Sequence, residues 1–492
     1  MVLVGALPQR SRLVSVLWPG WDRSGRWGRL LFLASLSLFV AGTAFMLTVQ
    51  LTGDELTYAY SAGNIAAFVR GNQSLSQTIE AVVGFGWFAP GIPILMAPLY
   101  LVDPTPNLAV YRLYAALLIF LLWLWALRET ERDAGHPYAL ALLVFPGLDI
   151  TWHMFAGTSW GDLPAGLVLV LVFARLLRIA RLLQGQGDLG FRELFALEAL
   201  LALGFYLRGN LLVVGVAANI FVAALVLILA RGPGLWRRLR NVLLGMAALA
   251  LAIAPWSIAA TRTLGDVVIS TSTPAIAFGL SFGRASEICF GPCPEIGPDN
   301  IWVRAVTFSR AYGEANGISE VEVQRMMASH ATSDLTLPEY VRRVRLNMVH
   351  YYSDPSSFVD RRFLPSSILG LSEATISAVG TLAAWWTGLL FFPALAGLAV
   401  ANLWVARARL DDQVRSLAIK MLTLCVAIQP FFHISTARYW PSLAGIMAIG
   451  TAFVILSPRP REGRSDGNPL LSLIQVLYAA CALALAVLVL AV

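Results

Sequence analysis

Two carboxylates stand side by side in Gly53-Asp54-Glu55, directly after the first long apolar run of the chain. Other polar residues recur at the ends of later apolar runs: Asp149, His153 and Asp162 around the third and fourth, Arg208 and Arg262 after the fifth and seventh, and His433, Arg438 and Tyr439 between the ninth and tenth. Ionisable groups at such depths are costly unless they are paired or used. A carboxylate can take the proton from a hydroxyl as its oxygen attacks, and a guanidinium fork can hold two phosphate oxygens at once. Together the residues fit a displacement in which a hydroxyl attacks and a phosphate leaves. Asp54, Glu55 and Asp162 are the acids to consider, and Arg208, Arg262 and Arg438 the phosphate-binding candidates.

Each residue also has a plainer role. Asp54 and Asp162 could cap the helices that follow them, and Glu55 in a first turn suits the helix dipole. A histidine near an interface, such as His153, is commonly just hydrogen-bonded, and the arginines could reach for lipid headgroups. Tyr58, Trp87, Trp152, Trp160 and Tyr439 fit an interfacial aromatic belt. Sugar stacking is open to one or two of these, so Tyr58, Trp87, His153 and Tyr439 are the substrate-binding candidates.

These residues must be positioned by membrane helices. Over 492 residues the chain is 58% apolar and only 13% charged, with a mean hydropathy of +0.69, more apolar surface than a soluble core requires. Eleven runs are long enough, or nearly so, to cross a bilayer: 29–50, 108–127, 137–150, 162–183, 193–207, 210–230, 241–260, 374–404, 417–432, 440–457 and 469–491, those near 137 and 193 being short. The expected fold class is an all-α polytopic membrane protein. The first run is too long for a cleaved leader and follows nearly thirty polar and basic residues, so it is expected to stay as an anchor. With eleven spans the arginine clusters from Arg10 to Arg464 share one side, which the positive-inside rule makes cytoplasmic. The net charge of +7 is then explained by topology and anionic lipid, and no nucleic acid is implied.

Residues 51–107 and 261–373 then lie outside the cytoplasm. The first of these segments continues past Asp54 with Tyr58, Ala62, Ile65 and Val69 at helical spacing, which predicts a short surface helix. In the second, Ser319 with Glu322 and Thr336 with Glu339 read as capping boxes, and Tyr340, Val344 and Met348 form a stripe. Its apolar residues look too scattered for a separate core, which predicts a surface helix over the membrane. Cys289 and Cys293 lie in this segment, where a disulfide is favoured over a metal site because no second ligand pair is near. The chain divides into an N-terminal transmembrane module, 1–260, the long segment 261–373 and C-terminal membrane helices, 374–492.

Beyond these spacings, the sequence is similar to a known family. "GDELTYAYSAGNIAAFVRG", "FAPGIPILMAPLYLV" and "AVYRLYAALLIFLL" resemble the first third of bacterial GT-C glycosyltransferases of the aminoarabinose-transferase and protein O-mannosyltransferase type. "SWGDLPAGLVLVLVFARLL", "APWSIAATRTLGDVVISTS" and "ARYWPSLAGIMAIG" continue the resemblance in order over about 400 residues. It implies transfer of a sugar from a polyprenyl-phosphate donor to a lipid, glycan or protein acceptor by inverting displacement. Asp54 is then the general base, Glu55 its support and Asp162 a second acid of the site. The membrane would be the bacterial inner membrane, with the site on its periplasmic face. Relatives often carry a basic residue before the Pro-Gly-x-Pro stretch; Gly86-Trp87-Phe88 stands there, so phosphate or sugar recognition is expected to differ. Two or three carboxylates could hold Mg²⁺ or Mn²⁺, and neutralisation by arginine would serve equally. A transporter or flippase of lipid-linked sugars would need polar groups at mid-membrane and matched halves. A polysaccharide ligase or polymerase would be expected to hold its chemistry in the long segment.

Overall fold

The computed structural model describes residues 18–84, 88–185, 189–229, 234–295, 300–352, 372–407, 409–433, 439–457 and 467–491. Trp87 and Arg438 lie outside the described residues. Among those described the chain is helical, without a strand.

The apolar runs become helices where predicted. Helix α1 (Arg26–Met46) is followed by α2 (Asp54–Val69), α3 (Leu75–Val83) and α4 (Gly91–Val102), then by the long α5 (Leu108–Asp133). Two short helices, α6 (His136–Val144) and α7 (Ile150–Ala156), precede α8 (Asp162–Gln184), α9 (Phe191–Leu207), α10 (Leu212–Leu229) and α11 (Leu235–Leu264). Four helices of the long intervening segment come next: α12 (Pro274–Phe282), α13 (Ile301–Asn316), α14 (Glu320–Ala331) and α15 (Leu337–Tyr352). The chain closes with α16 (Glu373–Leu403), α17 (Leu410–Ala427), α18 (Pro441–Leu456) and α19 (Pro469–Ala491).

Eight of the eleven expected spans are helices long and apolar enough to cross a membrane. The other three are shorter. The run at 137–150 is divided: α6 has nine residues and α7 seven, neither able to span ~30 Å alone at 1.5 Å per residue. Pro146 stands between them, where it has no N–H to continue α6. Helix α9 has 17 residues and α18 has 16. Helix α8 is buried along most of its length, its arginines Arg175, Arg178 and Arg181 falling in its second half, which makes it the central helix of the bundle. It packs against α5, α9 and α18, and so fixes where its first residue, Asp162, emerges.

The segment between α11 and α16 departs from expectation. Instead of a surface helix without a core, α12 to α14 enclose one built from Ile276, Ile288, Val306, Val323, Met327 and Ala331. Each helix contributes only a few apolar residues, so no single stretch looks core-forming; their convergence does the burying. Cys289 and Cys293, joined as a disulfide, sit at its edge. Ser319 caps α14 by accepting from the Glu322 N–H, the first half of the expected capping box. Helix α15 buries Val344 beside Tyr340 and Met348 against Phe282 and Val489, on the expected stripe.

Candidate functional site at the Asp54 end of the bundle

The loop before α2 turns on Gly53, whose φ of 54° and ψ of −123° suit only glycine. Gly53 is the N-cap and Asp54 the first helical residue, so the cap role considered for Asp54 falls to its neighbour. Asp54 is half-buried. Glu55 turns inward and is fully buried against Arg112 of α5, itself fully buried. The two make a bidentate pair, with Nη2 3.1 Å from Oε2. Arg112 also donates to the carbonyls of Val49, Gln50 and Gly157. Glu55 accepts from the backbone N–H of Thr52 and of Ser159, and Ser159 Oγ accepts from Tyr111. One guanidinium thus ties the end of α1, the start of α2 and the loop before α8 together. Glu55 is an anchor, which corrects its expected part in catalysis: its lone pairs already belong to these donors.

The same loop carries the second acid. A β-carbon on Gly53 would stand 4.0 Å from the Trp160 ring, so the Asp54 turn lies against the residues that open α8. Gly161 caps α8 and Asp162 is its first residue, again one position later than a cap. Gly161 has to be glycine, because a β-carbon there would meet the Leu207 carbonyl oxygen at 2.3 Å. That approach brings Arg208 to Asp162, Nη2 to Oδ1 at 2.8 Å, with the carboxylate buried. The Arg208 guanidinium lies 4.8 Å from the centre of the Tyr439 ring, a cation–π geometry. Ser442 Oγ donates to the Asp162 carbonyl, and the buried Tyr351 of α15 donates to the Tyr439 carbonyl at 3.3 Å. Burial pushes the Tyr351 phenol well above its usual pKa, so it stays a neutral donor.

Asp162, Arg208 and Tyr439, chosen separately from the sequence, therefore meet at the bundle end that holds Asp54. Other candidates do not join them. His153 is enclosed by Phe39, Trp123 and Trp152, with Nε2 2.7 Å from the Gly147 carbonyl oxygen, so it is a packing residue and not a substrate contact. Tyr58 is buried with its ring edge-on to Phe88, which removes it from the substrate-binding set. Arg262, at the end of α11, is exposed and has no partner among the described residues; no contact brings it to Asp162. Among the described residues no three of His, Cys, Asp and Glu gather as metal ligands. Asp162 is already paired with arginine.

Arg112 and Tyr351 were missed. The signal for Arg112 was partial: a lone arginine in the second apolar run calls for a partner, but the sequence does not say which one. Nothing in the Tyr351-Tyr352 pair marked it in advance.

No family model matches the chain, and no curated protein matches it. Among solved structures it is similar to the crystal structure of ArnT from Cupriavidus metallidurans in the apo state, with 16% identity, a TM-score of 0.35 and coverage of 87% of this chain and 77% of that one. A likeness this distant leaves the activity to be read from the chain's own residues.

Proposed function

We propose that the protein is an integral-membrane glycosyltransferase that takes a sugar from a polyprenyl-phosphate donor outside the cytoplasm and passes it to a hydroxyl-bearing acceptor. The observation that carries this reading is the meeting of Asp162, Arg208 and Tyr439 beside the turn that presents Asp54. The ordered motif resemblance points the same way.

In this reading the acceptor hydroxyl attacks the anomeric carbon from the face opposite the phosphate and gives its proton to Asp54. The bond from that carbon to the phosphate oxygen breaks, and its electron pair leaves as charge on the lipid phosphate. Arg208 neutralises that charge; a guanidinium does so with directed donors. Asp162 and the Tyr439 ring hold Arg208 in place. Charge stabilisation aimed at a leaving group is often the largest contribution to such a step. No step needs a metal.

The test is transfer by the purified full-length protein, supplied with labelled polyprenyl-phosphate sugars and membrane-derived acceptors. Arg208→Ala is expected to cut transfer by about 10²-fold or more. Asp162→Asn is expected to act more mildly, raising the donor KM, because Arg208 keeps its charge and loses only its tether. Wild-type protein that binds but never consumes such donors would contradict the enzyme reading and favour a lipid-linked sugar transporter.

A further inference from the structure

Far from Asp54, one buried acid is used by nothing described so far. Glu198 lies midway along α9 and is 2% exposed. Its Oε2 accepts a hydrogen bond from Asn219 Nδ2 of α10 at 3.1 Å. That nitrogen also donates to the Gly215 carbonyl. Its Oε1 and the Asn219 Oδ1 are both buried, and neither has a partner among the described residues. From the third side α11 presents Gly245, where a β-carbon would stand 3.1 Å from Oε1. Three helices thus close on two acceptor oxygens and, among the described residues, supply no donor to either.

A charged carboxylate here would be unpaired. Helix α10 contains no charged residue. On α11 the nearest are Arg238 and Arg240, seven and five positions before Gly245 or roughly 7–10 Å along the axis. Arg192 and Glu193 on α9 stand five or six positions before Glu198, and Glu193 is paired with Arg175 and Arg178 of α8. No salt bridge to Glu198 is formed among the described residues. An uncompensated buried charge is disfavoured by several kcal/mol, whereas the neutral acid brings the one donor the site lacks.

We propose that Glu198 is a proton-binding site within the membrane: it keeps its proton on Oε1 at neutral pH and donates it to Asn219 Oδ1. The two side chains then form a reciprocal acid–amide pair that locks α9 to α10, and Gly245 leaves the room for it. Ionisation breaks the pair, so the contact between these helices weakens as pH rises.

Infrared spectroscopy of the full-length protein in lipid, titrated from acid to alkaline pH in H₂O and D₂O, tests this. The expected result at neutral pH is a protonated-carboxyl C=O band that shifts in D₂O, disappears at alkaline pH and is missing from Glu198→Gln. Glu198→Gln is expected to fold with near wild-type thermal stability, because its amide supplies the missing donor, and to lose the alkaline decline in stability. A carboxylate signal from Glu198 at neutral pH would overturn the proposal. So would stability that depends on sodium or potassium, since a cation would then bridge the two oxygens. The wild-type titration decides the matter even if Glu198→Gln fails to fold. It is independent of the glycosyltransferase reading.

Discussion

Two helix starts at the same end of the bundle are built on the same dipeptide and differ in outcome. At Gly53-Asp54 and at Gly161-Asp162 a glycine caps the helix and the aspartate follows as its first residue. Gly161 has ordinary right-handed dihedrals and is glycine for lack of room; its aspartate is buried in an ion pair. Gly53 takes a backbone conformation that other residues avoid, and its aspartate is only half-buried. The neighbour of Asp54, Glu55, makes the structural bonds that Asp162 makes for itself at the second turn. At the first turn the structural bonds thus fall to Glu55, the residue after the aspartate, whereas at the second Asp162 itself holds Arg208.

The comparison can be broken most severely at Arg112. Arg112→Met leaves Glu55 as a buried charge without its partner, and should cost about 3–5 kcal/mol of stability. Thermal unfolding of the variant measures it. Changing Glu55 to Gln in the same chain should recover part of the loss; no recovery would mean that Arg112 acts chiefly through the Val49, Gln50 and Gly157 carbonyls.

Gly53 gives the next effect. Gly53→Ala forces an L side chain into the strained turn, with an expected cost of about 1–3 kcal/mol. The disturbance should be confined to the loop before α2, visible as faster hydrogen exchange over residues 51–58. An unchanged exchange pattern would show that the turn does not set the Asp54 geometry.

The smallest effect is expected far from both turns, at Glu339 on α15. Hydrogen bonds from Arg342 and Arg343 hold its carboxyl down to about 2 from its ordinary 4.5. A depressed folded-state pKa stabilises above the unfolded value and is lost as pH falls, here from about 4.5 towards 2. Glu339 is solvent-screened, so Glu339→Gln should lower the melting temperature slightly at neutral pH and hardly at all at the acid end of that window. A shift in the opposite pH direction would refute the pairing.

The spans and the caps were legible because they are local. Apolar runs gave eight helices their positions, and Ser319 with Glu322 gave α14 its start. The spacing of α2 was half legible: the helix forms and Tyr58 and Ala62 share its inner face, but Val69 is exposed and Glu55 is buried on the inner side. What the sequence hid depends on contacts between distant residues. Glu55 and Arg112 are 57 positions apart, and their pairing appears only when α2 and α5 are docked. The core of α12 to α14 was hidden for the same reason, and the run at 137–150 looked continuous because hydropathy does not register what Pro146 does to the backbone.

The central claim is that Asp54 carries out proton transfer and does not merely begin a helix. Asp54→Asn keeps the size of the side chain and removes the base. Transfer from a polyprenyl-phosphate sugar should therefore fall by about 10²–10⁴-fold, with thermal stability and donor binding near those of the wild type. Transfer at close to the wild-type rate in a well-folded Asp54→Asn protein would contradict the account.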